Sequence, residues 1–497
     1  MAMRMTGLMS GMDTESLIQE LVAAKRTKVD KEIKAQTKLE WKQDAWKGLN
    51  TKLKNLQSKF VNNMRYQSSY AKKTTKVSNS AAVSVITGED AVNGVQELTV
   101  DKLAKTAYLT GAEVKTTSGE KATALTKISE LGSLQAGAQI TCTINGEAKT
   151  LEVTDETTIS DALTWLKNEC GLNASFDEEN QRLFVSAKES GEDNNFKLNA
   201  SGGALSALGL SLSSGATKID GQNAEITLNG ATFKSSTNVF KINGLTFTAL
   251  SETAEKETVT ITTQDDVDGI FDVVKNFIKE YNTVINEIDK LYNADSAKGY
   301  EPLTDEEKEA LSESEVEKYE TKIKDALLRN DSNLSSIGTA LKGIMSSGIK
   351  IGEKTMYLSD FGIETQGYFE AADNEKNMYH IAGDADDEYS SGKADKLKSM
   401  IASDPDTVVS FFTELSKNLY DKMNSLSSSV NGYRSFGSFY DDKKMKTDYN
   451  DYTTKIAELE EKLADYEDKW YKKFAAMETT LAKMQSNTNA LTGLLGG

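Results

Sequence analysis

The chain holds a single histidine, His380, in the pentapeptide Asn377-Met378-Tyr379-His380-Ile381. One imidazole with no nucleophile pattern beside it supplies neither a Ser-His-Asp relay nor a multi-histidine metal site. It reads as a structural residue on a short strand. Asp384, Asp386, Asp387 and Glu388 follow at a spacing that hints at calcium. The run lacks the loop glycine and the closing bidentate glutamate of an EF-hand, so it reads as a solvated turn. Cys142 lies in an alternating strand pattern and Cys170 on the apolar face of a short helix. They read as two buried thiols; a bridge between them requires a geometry that spacing does not supply. Neither a phosphate loop nor a dinucleotide glycine pattern is found. No catalytic, cofactor-binding or metal-binding residue is therefore assigned, and the expectation is a protein that is not an enzyme.

The elements that carry these residues must come from a chain of 497 residues, roughly three domains' worth. Its 58 Lys+Arg against 76 Asp+Glu give a net charge of −18. That disfavours a nucleic-acid binder, whose footprint is basic. There are 2 prolines, where ordinary usage would give roughly 25, so long uninterrupted helices are open to it. Only 6 of the basic residues are arginine, which leaves few rigid forks for carboxylate or phosphate. No apolar run reaches the length of a membrane span, and residues 1–11 lack the apolar core of a secretory signal. Read simply, the chain is cytoplasmic, unless it leaves the cell by a route that uses an uncleaved N-terminus.

Three-four spacing marks the helices. Residues 14–60 read as one helix capped at Asp13 or Thr14, with a coiled-coil seam at Trp46, Leu49, Leu53, Leu56 and Phe60. Its first half (Leu17, Leu21, Val29, Ile33) is sparser and lysine-rich, and needs a partner to become helical. At the far end Tyr449, Tyr452, Ile456, Leu459, Leu463, Tyr466 and Trp470 repeat the seam, and Phe474, Met477, Leu481 and Met484 extend it after one extra four-step. Beyond Gln485 the tail reads as mobile. A third seam runs through Ile270, Val274, Phe277, Tyr281, Val284, Ile288 and Leu291. A fourth helix opens at Asp404-Pro405 and is expected to run through Val408, Phe412, Leu415, Leu419, Met423 and Leu426 to Val430. A shorter one opens at Thr304 with Glu307 as a capping box.

Residues 76–263 change character to Thr, Ser, Gly and Val. Ala138, Ile140, Cys142 and Ile144 alternate with polar residues, the period of a half-buried strand. Asn145-Gly146, Asn229-Gly230 and Asn243-Gly244 each lie between apolar strand patterns and predict type I′ hairpins. One helix interrupts, through Ile159, Leu163, Leu166 and Cys170, entered at Thr158 and stopped by Gly171. The Gly/Ser-rich stretch 201–215 reads as a domain boundary. The expected fold is α+β: long terminal coiled-coil helices and a helical shaft built from both chain ends, with two inserted β-rich head domains. The expected bounds are 1–40 and 485–497 for mobile terminal legs, 41–72 and 264–484 for the shaft, 73–112 and 216–263 for an inner head, and 113–215 for an outer head. The shaft seam comprises Trp46, Leu49, Leu53, Leu56, Phe60, Tyr452, Ile456, Leu459, Leu463, Tyr466 and Trp470. Leu17, Leu21, Val29, Ile33, Phe474, Met477, Leu481 and Met484, nearest the ends, are expected to form an intermolecular interface.

Five motifs in order resemble the bacterial flagellar filament-capping (hook-associated protein 2) family. They are Gly7-Leu8-Met9-Ser10-Gly11-Met12-Asp13-Thr14, Ala91-Val92-Asn93-Gly94 with Leu98-Thr99-Val100-Asp101-Lys102-Leu103-Ala104, and Phe277-Ile278-Lys279-Glu280-Tyr281-Asn282. Leu358-Ser359-Asp360-Phe361-Gly362-Ile363 and the stretch from Tyr466 to Phe474, with Ala476, Met477, Glu478 and Met484, complete the set. Residues 141–200 also resemble the insertion module of flagellins and caps. Met9, Met12, the Ser486-Asn487-Thr488-Asn489 tail and the two cysteines depart from the family pattern.

The resemblance implies export through the flagellar type III apparatus and a place outside the cell at the distal filament tip. It implies a homo-oligomeric ring of five copies, with heads as a plate and terminal helices as legs in the filament's open end. It implies flagellin, the hook-associated junction protein and an export chaperone on the C-terminal region as partners, with no nucleic acid, membrane span or cofactor. Two other readings stand beside it. A flagellin or other hook-associated subunit would also pair its terminal helices, but residues 304–328 and 358–363 resemble caps. A tip adhesin binding mucin or host glycans would use the Thr/Ser-rich strands of 113–215.

Overall fold

The computed structural model describes residues 11–255, 257–367 and 369–495. Gly7-Leu8-Met9-Ser10 of the N-terminal motif lie outside the described residues. The fold is α+β, with long terminal helices and a β-rich middle, in two compact units: Met1–Tyr70 with Val267–Gly497, and Ala71–Asp266.

In the helical unit, Asp13 caps the N-terminal helix Thr14–Asn55, accepting the Ser16 N–H at 3.1 Å. A π-helical segment, Leu56–Val61, and a last α-turn, Asn62–Met64, continue it. The central helix Val267–Tyr292 buries the expected seam from Ile270 to Ile288, with Leu291 packed at its margin. Asp404 caps the helix Pro405–Leu426 through the Thr407 N–H. These helices share one core in which Trp46, Leu49 and Leu53 meet Phe277, Tyr281, Leu415 and Phe439. Phe361 closes it against Phe411 and Phe412, at ring-centroid distances of 4.5 and 5.5 Å.

One expectation is corrected in this unit. The Pro405 helix stops at Leu426, because Ser427 turns its hydroxyl back onto the Met423 carbonyl; Val430 lies in the following turn. The short helix expected at Thr304 is present as Asp305–Glu309 with its Thr304–Glu307 capping box, and a further helix, Glu313–Asp325, follows from a second box of Ser312 with Glu315. The last helix, Asp442–Leu495, runs unbroken, with no proline and no glycine before Gly493 to stop it. The helix Ser332–Met345, capped by Asp331 and buried through Leu334, Ile337 and Leu341, was not anticipated.

The β-rich unit enters through β1 (Lys73–Val77), β2 (Val83–Thr87) and β3 (Gly94–Lys102). It continues through β4 (Thr106–Thr110), β5 (Gln139–Ile144), β6 (Glu147–Glu152), β7 (Asn173–Asp177), β8 (Arg182–Ser190), β9 (Phe196–Ser201) and β10 (Thr217–Ile219). It returns in β11 (Ala224–Leu228), β12 (Ala231–Ser235), β13 (Val239–Ile242), β14 (Leu245–Ala249) and β15 (Val259–Asp265). All pairings are antiparallel. Sheets β1-β15-β3-β11-β12 and β13-β14-β2 enclose one core around Leu98, Ile226, Phe247 and Ile261. Sheets β10-β4-β8-β7 and β6-β5-β9, with the helix Ile159–Asn168, enclose a second around Ile140, Leu166, Val185 and Phe196.

The three Asn-Gly pairs make their hairpins with positive φ at both residues: 50° and 81° at Asn145-Gly146, 50° and 83° at Asn229-Gly230, and 50° and 77° at Asn243-Gly244. The stretch 201–215 is not a boundary. Leu205, Leu208 and Leu210 are buried in the second core, and the glycines permit close approach: a Cβ on Gly202 would lie 2.7 Å from that of Ala138. The expected head junctions at 112–113 and 215–216 also fall inside this core, since β4 and β10 belong to its sheet. The cores change over instead at the bridge between Lys105 and Gln222.

Candidate assembly surface

The two ends of the chain pair with each other. The N-terminal helix Thr14–Asn55 and the C-terminal helix Asp442–Leu495 run antiparallel, and their contacts fix the register. At one end the Tyr471 hydroxyl donates to Glu15 at 2.7 Å. Lys25 then lies 5.4 Å from the Tyr466 ring centroid, and Lys455 pairs with Glu32 at 2.8 Å. Gln36 donates to Thr453 Oγ1 at 2.6 Å, and Gln43 to the Met445 carbonyl at 2.9 Å. At the other end Trp46 stacks on Tyr440, and the Phe439 N–H donates to Asn50 Oδ1 at 2.9 Å. Each numbered step up one helix is a step down the other.

The assigned seam residues divide by depth. Trp46, Leu49, Leu53 and Leu56 are fully buried in the helical core, with Phe60 at its edge. Tyr452, Ile456, Leu459, Leu463, Tyr466 and Trp470 are half-buried. Tyr466, Trp470 and Phe474 form an aromatic ladder at four-residue steps, with centroids 6.1 and 5.9 Å apart.

Of the eight residues assigned to an intermolecular interface, Val29 is buried within this chain, and Leu21, Ile33, Phe474, Met477 and Leu481 are half-buried. Leu17 is 40 % exposed and Met484 62 %. Ile18, which was overlooked, is buried beside Leu17; its eleven-residue step to Val29, three helical turns, was the available signal. Past Met484 the helix continues with Leu491 also largely exposed.

A second apolar surface was invisible to periodicity. Between the last two helices, Val430, Tyr433 and Phe436 point outward, Phe436 being 84 % exposed. Arg434 holds the loop from beneath, donating to Asp441 at 2.8 and 3.0 Å and to the Leu426 carbonyl at 2.7 Å.

Three carboxylates of the acidic run are engaged by other side chains of the protein. Lys275 reaches Asp384 at 2.6 Å and Asp386 at 2.7 Å. His380 Nδ1 lies 2.7 Å from Asp387, which also accepts from Ser390. Burial pushes the Asp387 carboxyl up, but the His380 and Ser390 hydrogen bonds outweigh it and hold it below the usual carboxylate range. Among the described residues no group of three or more His, Cys, Asp or Glu is set to hold a metal, and no helix is long and apolar enough to cross a membrane.

Long terminal helices that pair with each other, in a chain that carries an inserted β-rich unit, define the class of architecture. Comparison with known proteins then supplies the family. Residues 10–107 match the family model for the flagellar hook-associated protein 2 N-terminus, and residues 221–486 that for its C-terminus. The flagellar hook-associated protein 2 of Halalkalibacterium halodurans is 27 % identical over 436 residues, covering 82 % of this chain and 78 % of that protein. The protein of that name from Thermotoga maritima is 26 % identical over 367 residues, covering 70 % of this chain and 54 % of its own length. A crystal structure of the D1-D2-D3 domains of the flagellar cap protein FliD from Escherichia coli shares the fold, with a TM-score of 0.51. It is 19 % identical, over 82 % of this chain and 99 % of that one. The chain belongs to the flagellar hook-associated protein 2 family.

Proposed function

We infer that this protein is the cap at the distal end of a bacterial flagellar filament, an extracellular oligomer that promotes insertion and folding of exported flagellin and prevents its loss. The carrying observation is the antiparallel pair of chain ends, whose apolar stripe runs on into the exposed Met484 and Leu491. Exposed apolar residues in a helical stripe are surface for another helix. In this reading five copies form a ring. Leu17, Leu21 and Ile33, with Phe474, Met477, Leu481 and Met484, serve as legs that engage the vacant helical seams of the last flagellins, while Val29 is taken up in the chain's own helix pair. Flagellin and the hook-associated junction protein are the filament-side partners, and a chaperone holds the C-terminal region before export. The chain performs no covalent chemistry. Flagellin burying its own helices supplies the free energy, and each new subunit displaces one leg.

Native mass of the full-length protein over a concentration series tests the reading. A cap stops at a small closed ring. An open polymer that lengthens with concentration would instead mark a filament subunit, the alternative reading of this architecture.

A further inference from the structure

The chain has two cysteines in 497 residues, and folding brings them to one place. Cys142 sits in the middle of β5, opposite Lys149 of β6 and Leu198 of β9, with its side chain in the second β core. Cys170 follows the helix Ile159–Asn168, its N–H donating to the Trp165 carbonyl at 3.3 Å. Gly171, at φ +67°, then turns the chain away. Both are free and buried in that one core, where each thiol acts on the other's titration. A strand centre and a helix end, far apart in sequence, therefore present the chain's full complement of sulfur to each other.

We propose that Cys142 and Cys170 are a latent intrachain disulfide, closed by thiol–disulfide exchange with a small-molecule disulfide once the protein lies outside the cell. Disulfides persist in oxidising exteriors, and with no third cysteine present no competing partner exists within the chain. Cys170 reacts first, because it lies at a helix terminus, where local opening is easiest. Its thiolate attacks one sulfur of the oxidant, giving a mixed disulfide and releasing one thiolate. The Cys142 thiolate then attacks the Cys170 sulfur, forms the intrachain bond and releases the second. The two cysteines lose two protons and two electrons, and one oxidant disulfide becomes two thiols. Burial pushes the Cys142 thiol up to about 12 and the Cys170 thiol up as well, so the closed fold holds both as unreactive thiols. Bridging is therefore slow in the native state and fast while the chain folds.

The test uses the full-length protein, refolded with oxidised glutathione or with dithiothreitol. Its readouts are thiol titration under denaturing conditions, intact mass, non-reducing peptide mapping and thermal unfolding. The expected result is a fall from two free thiols to none and a mass about 2 Da below the reduced chain, for the two hydrogens lost. A peptide joining 142 to 170 should appear, with a melting point raised by a few degrees and restored by dithiothreitol. Cys142→Ala should stop at a glutathione adduct on Cys170. If that variant does not fold, the wild-type peptide map decides alone. Two free thiols after oxidative refolding, stable glutathione adducts on both cysteines, dimers joined between chains, or a lowered melting point would each overturn the proposal.

Discussion

The indole of Trp46 and the ring of Tyr440 lie 5.5 Å apart and 6° from parallel, and this stack joins the two ends of the chain. Trp46 is fully buried and Tyr440 nearly so. Everything beyond the stack, toward both termini, depends on one helix finding the other. Replacing Trp46 with Ala opens a cavity at this junction, and the expected cost is about 3–5 kcal/mol. Urea unfolding followed by far-UV circular dichroism should show the midpoint fall, with Trp46→Phe intermediate. A loss below about 1 kcal/mol would remove the junction from the core.

The Asn-Gly hairpins offer an internally controlled comparison. Gly230 and Gly244 adopt almost the same positive φ, 83° and 77°. A Cβ on Gly230 would meet nothing within 4 Å, whereas one on Gly244 would lie 2.5 Å from the Ala91 nitrogen. Gly230→Ala should cost about 1 kcal/mol, the left-handed backbone penalty alone. Gly244→Ala should cost at least about twice that, since backbone must move. Equal losses, measured by thermal unfolding, would mean that the close approach to Ala91 carries no energy.

Acid should act at Glu307. Its carboxylate accepts from Lys34 of the N-terminal helix and caps its own short helix through the Thr304 N–H. The Lys34 hydrogen bond is the first cause of its lowered pKa, and the Thr304 backbone the second. A depressed folded pKa contributes stability that is present above the ordinary glutamate value and lost as pH falls through the folded one. The window therefore lies below about pH 4.5. Glu307 is partly exposed, so the contribution is below about 1 kcal/mol. Glu307→Gln should lower stability at neutral pH and flatten the acid limb; an unchanged acid limb would contradict the assignment.

Much of this was legible in the sequence, for physical reasons. The Asn-Gly pairs are read directly, because few residue pairs supply two positive φ angles. The central helix was legible because Ile270 through Ile288 faces one core along its whole length. The terminal seams were legible as stripes of one shaft, but their register was not. Periodicity names a face and says nothing of what covers it, so the pairing of Glu15 with Tyr471 had no local signal. The glycines of 201–215 resembled a linker because glycine marks both flexibility and close packing. The outward-facing Phe436 was hidden for a related reason: the loop that presents it is held by Arg434 and Asp441, a tertiary contact with no period.

The far C-terminal end should matter for assembly and not for folding. Deleting residues 483–497 removes Met484 and Leu491, both largely exposed, and leaves the Trp46–Tyr440 junction whole. The truncated protein should keep the unfolding midpoint of the full chain within error but lose docking at filament tips, seen by immunogold electron microscopy. Deleting residues 1–38 should likewise abolish docking, although it also removes the partner of residues 449–471 and will lower stability. Normal tip labelling by either truncation would contradict the leg mechanism.

The most direct test of the cap reading is complementation in the source bacterium. Its own copy of this gene is deleted, and the full-length chain is returned from a plasmid or as purified protein. Filament length and flagellin free in the medium are then measured. The deletion strain should shed flagellin monomers and lack long filaments, and the returned chain should restore filaments while the free flagellin falls. Long filaments in the deletion strain, or flagellin shedding unchanged when the chain is returned, would contradict it.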